Sequence, residues 1–416
     1  MFFCQITLKG GVGISTNSTP IQLSRFLVLT MAVTAGIAVA NLYYIQPLLA
    51  EIAAAFHVTQ AQVGIAATLT QVGYALGMLM ILPLADIREK KSLILIMLGC
   101  SAGALLFLAF AWNSIMLSIA SFAVGFTSVV PQLIVPLAAQ LADPKERGRI
   151  IGTVMSGLLI GILVSRTFSG LVGEYFGWPA VYFIASGLMI LLALFLAFRL
   201  PKSPSTTTAG YGELFRSMAS LIKELPLLRE ASLNGGMMFA AFSVFWTTLS
   251  FLLAEPRYGL GPDAAGLFGL IGVVGALAAP VAGRMADQRS PRFTIGIGMV
   301  AVILAYVCLL GFGYVLAGLV VGVILLDLGV QSTQISNQAR IHAISDEARN
   351  RINTIYMVSY FVGGALGSGI GSFSYAHFGW TGVCVAGLLT QLVAVYAQVH
   401  GRRREQRLSL AERNGT

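Results

Sequence analysis

A single aspartate interrupts an apolar run near residues 316–339, and the polar residues after it keep helical step. Asp327 is followed by Gln331, Gln334 and Gln338 at spacings of four, three and four, which on a helix form one polar stripe suited to a water-filled cavity. A carboxylate at bilayer depth costs about 2.5–3.5 kcal/mol on insertion scales, so an acid there serves function or pairs with a cation. Asp327 is therefore read as a protonatable coupling site; a purely structural, hydrogen-bonded aspartate is the alternative. Arg166, in the run near 150–173, is the second charge in an apolar setting. It could hold an anionic solute, pair with Asp327 as a charge switch, or lock a cluster of carbonyls. Amides, hydroxyls and rings recur in other runs: Asn41 and Tyr44, Gln71 and Tyr74, Ser128 and Gln132, then Phe242, Phe245 and Trp246. With Gln331 and Gln334 they are the expected lining of a cavity, and aromatic walls with a few amides suit small amphipathic organic solutes more than sugars.

The elements that position these residues follow from composition. The chain of 416 residues is 56% hydrophobic and 10% charged, whereas soluble proteins approach about a quarter charged. Apolar runs long enough to cross a bilayer as helices fall near 25–48, 63–84, 92–112, 115–139, 150–173 and 179–199, then near 231–254, 264–284, 294–313, 316–339, 352–374 and 381–399. They are numbered here as spans 1 to 12. Lipid offers no partner for open backbone groups and the runs lack strand alternation, so the expected fold is an all-α integral membrane protein.

The net charge of +9 does not mark a nucleic-acid binder. With the N-terminus in the cytoplasm, every Lys and Arg except Arg166 and Arg257 falls in the N-terminal segment, an even-to-odd connection or the C-terminal tail. That is the positive-inside pattern, with both termini cytoplasmic. Cys4, Cys100, Cys308 and Cys384 are scattered, without the spacing of a disulfide framework or metal site. His57, His342, His377 and His400 are dispersed and no phosphate-binding loop of the Gly-x-x-x-x-Gly-Lys type occurs, so neither an enzyme, a cofactor nor a metal is expected.

The two sets of six runs are copies. Arg147, Arg149, Gly161, Phe176, Gly177 and Trp178 recur at a constant offset as Arg349, Arg351, Gly363, Phe378, Gly379 and Trp380. Expected boundaries are a cytoplasmic tail over 1–24, a six-helix bundle over 25–200, and a linker with a short interfacial helix over 201–230. A second bundle follows over 231–399, then a basic tail over 400–416. Small residues at four-residue spacing in span 2 (Gly73, Gly77), span 5 (Gly157, Gly161), span 8 (Gly266 to Gly275) and span 11 (Gly363, Gly367, Gly371) are expected to form sliding surfaces between the halves. The copies disagree where the charges lie. Asp327 falls opposite Gly125, and Arg166 opposite Ser368.

Over essentially its whole length the chain resembles the major facilitator superfamily. The loop after span 2, Leu84-Ala85-Asp86-Ile87-Arg88-Glu89-Lys90-Lys91, is similar to that family's Gly-x-Leu-Ala-Asp-Arg-x-Gly-Arg-Lys signature, with Leu82 and Glu89 where glycines belong. Gly283-Arg284-Met285-Ala286-Asp287-Gln288-Arg289 is similar to its second copy. The resemblance implies two six-helix bundles related by a pseudo-two-fold axis along the membrane normal, with spans 1, 4, 7 and 10 lining the path. It also implies a cytoplasmic gate in which Asp86 and Arg88 meet Arg349 and Arg351, and Asp287 and Arg289 meet Arg147 and Arg149.

Ala40 to Leu49 in span 1 and Phe245-Trp246-Thr247-Thr248-Leu249 in span 7 resemble the bacterial drug and metabolite exporters of the arabinose-efflux-permease-like group. The antiporter signature of span 5 departs here, reading Gly157 to Gly161, then Ile162, Ser165 and Arg166, without its proline. The family's span 4 arginine is replaced by the run Ser121 to Gly125. The resemblance implies a monomer in the bacterial inner membrane that works by alternating access and exports small amphipathic molecules in exchange for protons. A proton symporter or facilitator for uptake, and a non-transporting sensor, are the alternatives.

Overall fold

The computed structural model describes residues 24–143, 146–201, 210–277, 290–345 and 348–414, with the backbone alone for 273–277 and 404–414. Ten helices among them are long and apolar enough to cross a membrane. One, running from Arg349, contains non-helical Gly379 (φ 58°, ψ −154°) and so divides into spans 11 and 12. Pro262–Leu277 adds the described part of span 8. The architecture is all-helical and consistent with twelve spans.

Span 1 runs over Arg25–Ala55, span 2 over Gln60–Ile87, span 3 over Lys90–Ala109 and span 4 over Ser114–Leu141. Span 5 is Arg147–Phe176, span 6 Trp178–Arg199, span 7 Pro226–Leu253, span 9 Pro291–Phe312 and span 10 Leu316–His342. Side-chain caps begin several of them: Ser24 accepts from Leu27 N (3.2 Å), Thr59 from Gln62 N (3.3 Å) and Asn113 from Met116 N (2.8 Å). These bonds satisfy backbone donors that the first turn of a helix leaves open.

Two spans are not the continuous helices that hydropathy suggests. Span 1 breaks into Arg25–Ala40 and Ile45–Ala55, and span 4 into Ser114–Thr127 and Val130–Leu141. Pro47 and Pro131 stand just beyond the two breaks, where they cannot donate to the preceding turn. At the turns between spans 5 and 6 and between spans 11 and 12 the repeated Phe-Gly-Trp places glycine at positive φ, 79° at Gly177 and 58° at Gly379. A side chain there would be strained, which gives the repeated motif a backbone reason.

Large apolar side chains face outward all round, including Leu191, Phe198, Phe312 and Leu392. Such a surface is suited to lipid. Within the first half, span 1 packs on span 5 and span 2 on span 4; within the second, span 7 packs on span 11 and span 9 on span 10. The halves meet along two seams, span 5 with span 8 and span 2 with span 11.

Spans 2, 5, 8 and 11 thus form the seams between the halves, as expected, but most of their glycines face another way. Gly157 and Gly161 approach Ala32 and Gly36 of span 1, Gly73 and Gly77 approach Phe122 and Phe126 of span 4, and Gly363 and Gly367 approach Gly236 and Ala240 of span 7. All these contacts lie inside one half. Lipid supplies no hydrophobic drive between helices, so close backbone packing holds each bundle together, and glycine is needed there first. Of the glycines expected between the halves, Gly266 and Gly269 do lie on a seam, against span 5.

The linker helix Tyr211–Glu224 is polar on one side and buries Leu214 and Met218 on the other. Its Tyr211 hydroxyl donates to the Met80 carbonyl (2.7 Å), and its Ser217 hydroxyl accepts from Arg351. It therefore touches span 2 of the first half and span 11 of the second. The end of the molecule that carries it also carries Arg88, Lys90, Arg147, Arg149, Arg349 and Arg351, and is called the basic end below.

Candidate functional site

A cavity of about 410 Å³ extends inward from the basic end between the two halves. Its walls come from spans 2, 4, 5, 10 and 11 and from Lys90 at the start of span 3, with Leu214 and Met218 of the linker helix at its mouth. Gln132, Gln331, Gln334 and Gln338 supply amides to an otherwise apolar lining that includes Leu133, Pro136, Met155, Leu158, Ile162 and Met357. Tyr360 donates its hydroxyl to Gln334 (3.0 Å), and Gln132 donates to the Tyr74 hydroxyl (3.3 Å). These two bonds join the cavity wall to an aromatic cluster from spans 2, 7 and 11. Tyr74 and Phe361 have ring centroids 4.4 Å apart, Phe239 and Tyr360 4.2 Å, and Phe239 and Phe361 5.1 Å.

Arg166 and Asp327 lie beyond the inner end of the cavity. Ile162 stands four residues before Arg166 on span 5, and Gln331 four residues after Asp327 on span 10; both line the cavity. Each charge is thus about one helical turn, roughly 5.4 Å, past the deepest lining. Both are buried, Arg166 at 1% exposure and Asp327 at 5%. They come from opposite halves, and Trp246 of span 7 stands between them. Its indole Nε1 donates to Asp327 Oδ1 at 3.3 Å, and the Arg166 guanidinium lies over its ring at 4.0 Å.

Arg166 also lies over the rings of Tyr43 (4.8 Å) and Phe242 (5.4 Å), and its Nε donates to Gln46 Oε1 at 2.7 Å. A desolvated guanidinium over an aromatic face gains about 2 kcal/mol per good contact, which explains how a cation persists here. Gln46 lies within the span 1 segment quoted above but carried no assigned role, because residue type alone does not reveal a buried partner. On the other side, a Cβ on Gly272 of span 8 would collide with Asp327 Oδ2. The aspartate occupies the room that this glycine leaves.

The remaining expected cavity residues divide by what they touch. Gln132, Gln331 and Gln334 line the cavity. Tyr74, Phe242 and Trp246 belong to the aromatic group above it. Asn41, Tyr44, Ser128 and Phe245 are not among the side chains that line it. Asn41 donates to the Ser128 hydroxyl (3.3 Å) and contacts Met189 Sδ (3.7 Å), so it tethers spans 1, 4 and 6 at the breaks in spans 1 and 4. Tyr44 packs on Phe168, and Phe245 on Trp380. Asn41, Tyr44 and Ser128 stand at the breaks in spans 1 and 4, which an unbroken helical wheel does not anticipate, whereas Phe245 lies on the continuous helix of span 7 and faces span 12. Gln71 is buried and its Oε1 has no hydrogen-bond partner.

At the basic end, the charges of Lys90 and Arg351 act on Asp86. Lys90 is itself buried and donates to Gln140 Oε1 at 2.6 Å. Arg351 reaches the linker helix through Ser217. Arg88, Arg147, Arg149 and Arg349 are exposed, and Arg149 pairs with Glu146 at 2.6 Å. Asp287 and Arg289, expected to complete the second gate pair, lie outside the described residues. The second half instead buries Glu230 between Arg292 (2.8 Å) and Arg340 (3.1 Å), tying together spans 7, 9 and 10.

Two halves of helices in repeat with a cavity between them have the architecture of a membrane transporter. The Major Facilitator Superfamily model matches residues 31–342 and 231–413, and the chain belongs to that superfamily. It is 42% identical over 386 residues to a transporter of Escherichia coli O157:H7 named YgaY, covering 92% of this chain and 98% of that one. It is 25% identical over 361 residues to a "Probable sugar efflux transporter" of Helicobacter pylori, covering 84% and 88%. Among solved structures, a bacterial homologue of the human lysosomal transporter Spinster, inward-facing and unoccupied, superposes with a TM-score of 0.74 at 16% identity. That alignment covers 90% of this chain and 95% of the other, and it speaks for the fold.

Proposed function

We propose that this chain is a proton-coupled exporter of small amphipathic organic molecules, working by alternating access in a bacterial inner membrane as a monomer. One observation carries the reading: two buried charges from opposite halves stand just past the closed end of a cavity that reaches the basic end. In this reading the basic end is cytoplasmic, as the positive-inside pattern requires, and the conformation is open inward. Gln132, Gln331, Gln334 and the neighbouring apolar side chains receive the solute from the cytoplasm. Closure around it brings Asp327 into the same compartment, and opening to the far side lets Asp327 take up a proton.

The return of a proton supplies the drive, since each charge moved through 100 mV contributes about 2.3 kcal/mol. Asp86 with Arg351 and Lys90, together with the linker helix, forms the cytoplasmic gate. The name of the Helicobacter relative supports export as the direction.

The test uses inside-out vesicles energised to an acidic lumen and a panel of amphipathic solutes. Wild-type protein should exchange a transported solute for protons and dissipate the gradient. Asp327→Asn should fail to dissipate it. Gradient-coupled flux that survives in Asp327→Asn would remove Asp327 from the mechanism. Coupled flux seen only in vesicles of the opposite orientation would make the protein an importer.

A further inference from the structure

Arg166 and Asp327 are opposite charges that have not collapsed onto one another. Arg292 and Arg340 pair directly with Glu230, whereas Arg166 and Asp327 are not within ion-pair distance of one another. In an apolar interior two such groups gain most by direct contact, unless packing holds them apart. Here Trp246 does so, with its ring face on the guanidinium and its Nε1–H on the carboxylate. Each charge therefore keeps unused bonding capacity. Arg166 Nη2 is buried without any hydrogen-bond partner, while Nε is committed to Gln46. On Asp327, Oδ1 takes the indole proton, and Oδ2 faces Gly272, which has no side chain to offer.

A buried, unpartnered guanidinium nitrogen is expensive and calls for an acceptor that is itself charged. The Asp327 carboxylate takes one neutral indole hydrogen bond and has no ion-pair partner within 4.0 Å among the described residues, so it can accept a cationic donor. From these we infer that the transported solute is a zwitterion with an apolar body, such as a hydrophobic amino acid or short peptide. Its carboxylate would pair with Arg166, its ammonium with Asp327, and its side chain would rest against the rings of Trp246 and Phe242. A solute bearing only a cation would meet Arg166 uncompensated, and one bearing only an anion would meet Asp327.

The inference rests on the transporter reading above and adds to it a reason for exchange, because a proton and the ammonium group compete for the same carboxylate. The groups acting on that competition are Arg166 on span 5 and Trp246 on span 7, with Tyr360 on span 11 and Tyr43 on span 1.

The experiment measures binding to the purified, full-length protein at a fixed pH, by quenching of tryptophan fluorescence and by thermal stabilisation. The probes are L-phenylalanine and L-leucyl-L-phenylalanine as zwitterions, phenethylamine as the cation alone, and 3-phenylpropionate as the anion alone. At least one zwitterion should bind at least about tenfold more tightly than either single-charge analogue. Arg166→Gln should erase the discrimination against phenethylamine, and Asp327→Asn the discrimination against 3-phenylpropionate. Unfolding of each variant in the absence of ligand, at a temperature close to that of wild type, separates loss of recognition from loss of fold.

Failure of both zwitterions to bind, or single-charge analogues binding as tightly, overturns the inference. Zwitterion binding with the expected discrimination, but no proton exchange in vesicles, would instead sink the exporter reading and leave this site standing.

Discussion

The seam between spans 5 and 8 and the seam between spans 2 and 11 are one contact built twice, and they diverge where charge enters. Gly170 meets Gly266 on the first seam, and at the same repeat offset Ser372 meets Gly64 on the second. On the first, a Cβ at Gly266 would lie 3.1 Å from Gly170 Cα and 3.2 Å from Thr167 Cα, so the neighbours are backbone. The Thr167 hydroxyl also donates to the Gly266 carbonyl, at 3.0 Å. On the second, a Cβ at Gly64 would fall on the Ser372 hydroxyl, a side chain that can rotate.

One turn along, Arg166 bonds Gln46 of span 1, whereas its counterpart Ser368 accepts from Thr247 of span 7 at 3.1 Å. A neutral hydroxyl pair in one half has become a charged, amide-held guanidinium in the other.

The same trade recurs beside spans 4 and 10. Gly125 of span 4 sits against the backbone of Thr70 on span 2, with its Cβ direction 2.9 Å from the Thr70 carbonyl carbon. At the repeat offset Asp327 replaces Gly125, and Gly272 replaces Thr70. In the first half the glycine is on span 4, and in the second it is on span 8. The acid on span 10 is accommodated because the position facing it on span 8 is glycine.

The comparison can be broken most sharply at the glycines of the two seams. Gly266→Ala should destabilise the protein by about 3 kcal/mol and reduce transport, because backbone cannot yield, whereas Gly64→Ala should cost about 1 kcal/mol. Denaturant titration in mixed micelles with flux in vesicles measures both, and equal losses would refute the distinction. A smaller effect is expected for the exchanged pair. Gly272→Thr alone should lose about 2 kcal/mol by crowding Asp327, and combining it with Asp327→Gly should recover part of that loss, a coupling of about 1 kcal/mol. Strict additivity would mean the two positions do not share one space. The smallest effect belongs to the neutral pair: Thr247→Val should cost about 1 kcal/mol in stability and leave flux in vesicles intact.

Much of the scaffold was legible before any coordinates. The apolar runs located the helices because lipid leaves the backbone no other way to satisfy its hydrogen bonds. The glutamine stripe of span 10 identified three cavity-lining side chains from helical period alone. Span 4 was harder to read, since its break turns Ser128 away from the cavity and toward Asn41 while leaving Gln132 in it. The glycine stripes were visible, but their partners were not: small residues mark close approach without saying which neighbour approaches. Gln46 carried no signal at all, since its role depends on Arg166 reaching it from a helix 120 positions away in the chain.

The sequence by itself determined the solvent, the helices, the duplication and the two positions where the copies break rank, because hydropathy, charge and periodicity are properties of the chain read along its length. Only the tertiary structure decided that Asp327 and Arg166 face one another across the halves, that Trp246 keeps them apart, and that Gly272 makes room. Those facts depend on the rotation and crossing of helices from different halves, which ångström-scale packing sets and no local pattern encodes.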